Sequence, residues 1–211
     1  MHKRLLFCLA LCLFANRNGT TAPLYLNNTN ITVSLGPSMT AEPFENRTTA
    51  ASLASVIDLP TASSIEFHNQ STHVWVSGGT LELNFDLLID YDLLQLHFWN
   101  YHSEDYDVDD IDFRFYDGAN QLVGTLFDVG PALGNNSGSD ANPLSAQTLN
   151  LSFPSKVRYV NAVLSGSNGQ VDFNNLGFTA EASSGNSGVP EPGTFAMVVT
   201  SIVALRLLQR R

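Results

Sequence analysis

The chain has 211 residues, 44% of them hydrophobic, with ten basic and twenty acidic side chains and a formal net charge of −10. That acidity excludes nucleic acid as a partner held through a basic patch, and it excludes an anionic membrane surface on the same ground. Both cysteines, Cys8 and Cys12, lie in the first apolar segment, so no disulfide framework stabilises the rest of the chain.

At the front, Met1-His2-Lys3-Arg4 is a basic start, and Leu5 to Ala15 is an apolar run too short to span a membrane as a helix. The pair forms a secretory signal peptide, assigned to residues 1–22 and removed by signal peptidase. Thr20-Thr21-Ala22 offers small residues for the cut, and a site a few residues earlier is the alternative because Pro23 would follow directly. Leu9-Ala10-Leu11-Cys12 has the outline of a lipoprotein box, which the bulky Leu11 disfavours. Beyond the leader, Arg47, Arg114, Lys156 and Arg158 face all twenty acids up to Glu191, a net charge of −16. This balance suits a solvated extracellular surface that recruits divalent cations.

Residues 23 to about 50 are rich in Asn and Thr and predict one edge strand with loops. Sequons at Asn18, Asn27, Asn30, Asn46, Asn69, Asn135 and Asn150 read as an Asn/Ser/Thr-rich secreted surface. From Ser64 onward the period is two, the mark of half-buried strands. Leu81, Leu83, Phe85 and Leu87 alternate with polar residues; Leu94, Leu96 and Phe98 repeat the pattern, as do Ile111, Phe113 and Phe115. Further strands are predicted at Gln121 to Phe127, Leu149 to Phe153 and Leu176 to Ala180, with Val157 to Leu164 apolar on both faces. Ser77-Gly78-Gly79, Asp117-Gly118-Ala119-Asn120 and Ser165 to Gly169 supply turns. No segment of this region has a helical stripe. Several short strands with turns between them predict an all-β sandwich over residues 23–181, followed by a flexible linker at 182–188.

The last 23 residues carry Val189-Pro190-Glu191-Pro192-Gly193-Thr194, an apolar run from Phe195 to Leu205, and Arg206, Arg210 and Arg211. The prolines hold the backbone extended, and the arginines stay on the cytoplasmic side of a membrane. This arrangement over 189–211 resembles the PEP-CTERM sorting signal of bacteria that make exopolysaccharide. The resemblance implies a short transmembrane segment, cleavage near Pro190-Glu191-Pro192 by an exosortase-like membrane protease, and delivery to the cell surface or extracellular matrix. An ordinary C-terminal membrane anchor is the alternative.

The order of patches in the middle suggests a second resemblance. Ala54-Ser55-Val56-Ile57-Asp58 precedes Thr72-His73-Val74-Trp75-Val76-Ser77, then Asn84-Phe85-Asp86-Leu87 and Phe98-Trp99-Asn100-Tyr101. Phe115-Tyr116-Asp117-Gly118, Val157-Arg158-Tyr159-Val160-Asn161 and Asp172 to Phe178 close the series. Together they resemble the discoidin or coagulation-factor C-type domain, a galactose-binding-like jelly roll, with Asn161 where that family's strand has a second Arg. The resemblance implies a jelly-roll β-sandwich, an interior position for Trp99, and structural calcium at the turn around Asp58.

Residue chemistry offers two further candidate sites. Tyr101, His102, Glu104 and Tyr106 mix aromatic rings with hydrogen-bonding groups, as sugar recognition requires. Asp105, Asp107 and Asp109 put alternate carboxylates on one side of a loop, a set of hard oxygens suited to calcium. Asp58 and this cluster are equal candidates, and each competes with a merely solvated acid. Catalysis finds little support: His68, His73, His97 and His102 form no compact metal-binding motif, and no Gly-x-Ser-x-Gly elbow occurs, although the carboxylates are numerous enough for a glycosidase pair. The expectation is a non-enzymatic exported surface or matrix protein that binds carbohydrate, with the cell's own exopolysaccharide as the ligand class. A purely structural surface protein is the first alternative, and a small glycosidase or lyase the second.

Overall fold

The computed structural model describes residues 22–38, 50–67, 73–135 and 143–183. The signal peptide and the VPEPGT segment with its apolar run therefore lie outside the described residues. In chain order the strands are β1 (Leu24–Leu26), β2 (Thr32–Leu35), β3 (Ile65–Phe67), β4 (Val74–Ser77), β5 (Thr80–Asn100) and β6 (Asp110–Tyr116). They continue as β7 (Leu122–Val129), β8 (Pro143–Ser145), β9 (Gln147–Leu149), β10 (Val157–Ser165) and β11 (Gln170–Ala182). A 3-10 helix, Ala50–Ile57, sits between β2 and β3, where the sequence pattern predicts no helix.

Strand β5 organises the molecule. The two alternations in this region predict two strands, but no Gly or Pro separates Leu87 from Tyr91, so nothing ends the first one. The chain bends instead: Leu88 takes φ 64°, and its N–H donates to Asp86 Oδ1 at 2.7 Å. The first half of β5 pairs with β2 and β10, and the second half with β11 and β9. β6 continues from β10 and β7 from β6, while β1 and β4 flank β11. All these pairings are antiparallel, and the result is a two-layered sandwich that shares one long strand.

The alternating residues meet between the layers. Phe85, Phe113 and Phe115 of the first layer and Phe98, Phe173 and Phe178 of the second are fully buried. Phe85 and Phe178 pack edge to face with centroids 5.9 Å apart, and Phe153 bridges Phe115 at 5.7 Å to Phe178 at 6.4 Å. Each such ring contributes about 1.5–3 kcal/mol by leaving water. Trp99 is also fully buried, but in a separate small cluster with Leu59 and Leu144 on the outer side of the second layer. Its indole N–H donates to the Ser64 carbonyl at 3.2 Å.

Several local expectations change. The alternation puts Leu94 inside, yet it is 38% exposed while Leu93 is 5% exposed. The register slips opposite Thr179 and Ala180, and one extra residue exchanges the faces of a strand. β10 is apolar on one face only: Val160, Ala162 and Leu164 are buried, whereas Tyr159, Asn161 and Val163 are half-buried on the other side. The strand predicted over Leu149 to Phe153 ends at Leu149, although Leu149, Leu151 and Phe153 still pack on the core. Asn27 is not surface decoration; it is buried and donates from Nδ2 to the Leu59 carbonyl at 2.8 Å.

Candidate functional site

The outer face of the first layer is polar across four adjacent strands. Register places Ser34 beside Asn84, Asn84 beside Asn161, and Asn161 beside Arg114. The next row runs Thr32, Asp86, Tyr159 and Tyr116. These eight residues line an open groove of about 690 Å³, together with Glu82, Pro37 and Asn120. The core of this layer is built from the alternate residues Leu83, Phe85, Phe113, Phe115, Val160 and Ala162, so the period of two forces the groove residues outward.

The groove is held in shape by its own hydrogen bonds. Asn161 Nδ2 donates to Glu82 Oε1 at 2.6 Å and to Asn84 Oδ1 at 2.8 Å. Ser38 donates its N–H to Glu82 Oε2 at 2.9 Å, and its hydroxyl donates to the same oxygen. Burial alone would raise the Glu82 carboxyl, but these bonds and the nearby Arg114 leave it below its ordinary value. Gly36 is required here, because a Cβ would overlap the Glu82 side chain. Arg158 grips Asp86 with Nε at 2.7 Å and Nη2 at 3.3 Å, and this bond holds the Asp86 carboxyl below its usual range. Arg114 lies 5.5 Å from the Phe127 ring centroid and has no ion-pair partner among the described residues. It therefore offers guanidinium donors to a ligand.

The predicted contact loop lies between β5 and β6, at one end of the sandwich. Its rings pack on each other: Tyr101 and His102 at 4.3 Å, Tyr101 and Tyr106 edge to face at 5.9 Å, and Tyr106 with Trp75 edge to face at 5.9 Å. Tyr106 keeps 38% exposure. Below them the predicted acids separate. Asp107 and Asp109 come together with Glu104, while Asp105 is exposed and stays outside the group. Burial first, then the charges of Asp109 and Glu104, push the Asp107 carboxyl up to about 6.

Asp58 follows the 3-10 helix directly and belongs to no group of three ligating side chains among the described residues. Asn175 Nδ2 donates to Asp58 Oδ1 at 3.0 Å and to the Ser55 carbonyl at 3.1 Å. On the same two partners, Asn175 Oδ1 and Ser55 Oγ are buried with no hydrogen-bond partner among the described residues. Burial raises the Asp58 carboxyl, partly offset by the Asn175 bond. The histidines are dispersed: His73 Nδ1 meets Asp172 Oδ1 at 2.8 Å inside the β4–β11 pair, and His97 lies between two threonines. His68 lies outside the described residues.

The groove escapes sequence reasoning because its residues are scattered over β2, β5, β6 and β10. The available signal is the polar member of each alternation, which pattern reading uses only to locate the core.

The chain matches no protein-family model and no curated protein. Among solved structures it is similar to a family 32 carbohydrate-binding module of NanJ from Clostridium perfringens, solved in complex with galactose. The identity is 12% and the TM-score 0.45, over 75% of this chain and 99% of that one. An F5/8 type C domain from Bacteroides fragilis gives 12% identity and a TM-score of 0.46, over 76% of this chain and 98% of that one. The lectin domain of lectinolysin in complex with Lewis b antigen gives 12% and 0.42, over 75% and 98%. At this distance the likenesses say nothing of what this chain binds.

Proposed function

We propose that this protein is a non-catalytic carbohydrate-binding protein whose sheet-face groove holds a short stretch of polysaccharide. The carrying observation is the pair of polar rows across β2, β5, β10 and β6. Planar amide, carboxylate and guanidinium groups there can each meet vicinal hydroxyls, and Tyr116 and Tyr159 add aromatic rings, with the Arg158 guanidinium 5.2 Å from the Tyr159 centroid on one face. Four strands at the usual spacing give a surface roughly 14 Å across. That length accommodates more than one linked sugar ring. Because Glu82, Asn84 and Asn161 are already bonded to one another, little side-chain ordering is left to oppose binding.

A second site at the Tyr101–Tyr106 rim is favoured by its aromatic cluster with Trp75 and by the exposure of Tyr106. Export to the cell surface or matrix is part of the same reading. Its support is the basic and apolar front end and the VPEPGT segment before an apolar run, which an exosortase-like protease would process.

A glycan array followed by titration tests the proposal. Tyr159→Ala and Arg114→Ala should each weaken binding about tenfold or more, the size of one lost charge-assisted or stacking contact, with melting temperature nearly unchanged. Trp99→Ala should instead cost about 3–5 kcal/mol of stability. Loss of binding in Tyr101→Ala and Tyr106→Ala, with the groove variants unaffected, would move the site to the rim. A full array with no binder would leave a structural surface protein.

A further inference from the structure

The acids at the rim are not arranged as a solvated loop would hold them. Glu104, Asp107 and Asp109 each bring a ligating oxygen within 4.8 Å of the others. Oxygens bound to one calcium ion at about 2.3–2.6 Å lie at most about 5 Å apart, so all three can reach a common ion. Like charges gathered this closely repel one another, and among the described residues none of the three acids is in an ion pair.

A second observation is independent of the clustering. Asp107 is only 3% exposed, and its Oδ1 is buried with no hydrogen-bond partner. Its Oδ2 accepts from the Asn100 amide at a long 3.5 Å. Buried carboxylate oxygens are ordinarily satisfied, and an unpartnered one on a residue grouped with two other acids points to a cation as the missing partner.

We propose that Glu104, Asp107 and Asp109 form a calcium site, completed by water, that orders the β5–β6 loop where it packs on the β10–β11 turn. The two segments are already in register for this. The Asp109 N–H donates to the Ser165 carbonyl at 3.0 Å, the Ser167 N–H donates to Asp109 Oδ2, and Asn168 Nδ2 donates to the Glu104 carbonyl at 2.8 Å. Gly166 lets the turn close onto the loop, since a Cβ there would collide with the Asp107 carbonyl oxygen. Tyr106, between two of the acids and edge-on to Trp75, is thereby fixed by the ion. The second acidic trio, Asp110, Asp112 and Asp128, contains no residue buried to this degree. This site does not depend on the groove reading, and either can fail alone.

The test is calcium titration of the full chain by calorimetry and thermal melting, with magnesium and sodium chlorides at equal ionic strength as references. Terbium luminescence sensitised by Tyr106 gives a local readout. Calcium should raise the melting temperature beyond either reference salt. Asp107→Asn and Glu104→Gln should each weaken calcium affinity about tenfold or more, whereas Asp112→Asn and Asp58→Asn leave it unchanged. Glu104 is exposed, so Glu104→Gln stays informative even if the buried Asp107 variant folds poorly. Wild-type affinity in Glu104→Gln and Asp107→Asn, absence of calcium binding, or loss confined to Asp58→Asn would each overturn the proposal.

Discussion

His97 is held on both sides by hydroxyls, Nδ1 by Thr148 at 3.0 Å and Nε2 by Thr179 at 2.7 Å, with the Tyr25 ring 5.7 Å away. A hydroxyl can donate or accept, so the neutral ring is satisfied in either tautomer. Burial lowers its pKa from the ordinary 6.5. A depressed folded value means that the contribution of the neutral ring is complete above 6.5 and declines as the pH falls toward the folded pKa. The stability difference between wild type and His97→Gln, measured by urea unfolding, should therefore shrink between pH 7.5 and pH 5. A difference constant across that range would show that the ring charges as readily when folded. Sequence reasoning finds His97 only as a histidine outside any motif. Its partners lie 51 and 82 residues away, and no local pattern carries such a contact.

The bend in β5 is the element that makes two layers from one strand. Leu88 supplies it at φ 64°, a conformation costly for any residue with a Cβ, and its side chain is 47% exposed. Leu88→Gly should accordingly stabilise the protein by about 0.5–1 kcal/mol, and Leu88→Val should destabilise it by about 1 kcal/mol or more. Denaturant unfolding of the two variants measures both, and effects of the same sign would show that the bend is imposed by packing alone. The alternations on either side of Leu88 are legible in the sequence, down to Leu83, Phe85, Phe98, Phe113 and Phe115. Continuity through the bend is not, because left-handed backbone at a leucine leaves no compositional trace. The slip that buries Leu93 instead of Leu94 is hidden for the same kind of reason: it depends on the partner strand.

For the whole molecule, the sorting reading has a direct consequence. The mature protein recovered from the cell surface should end near Glu191 and lack Phe195 to Arg211, and Glu191→Ala should leave a longer, membrane-retained form. Mass measurement of both termini decides this, and an intact Arg211 on surface protein would leave a plain anchor. Among the described residues no helix is long and apolar enough to cross a membrane. What the sequence determined by itself was much of the composition of the layers, since burial with a period of two is written locally in β4, β6 and most of β10. It also marked the acids and rings of the β5–β6 loop, which are neighbours in the chain. Only the tertiary structure selected Glu104 over Asp105 as the companion of Asp107 and Asp109, because the backbone path of the loop decides which carboxylates converge. Only it assembled the groove, because Asn84, Arg114 and Asn161 become neighbours through strand register, which is fixed by the packing of the opposite face.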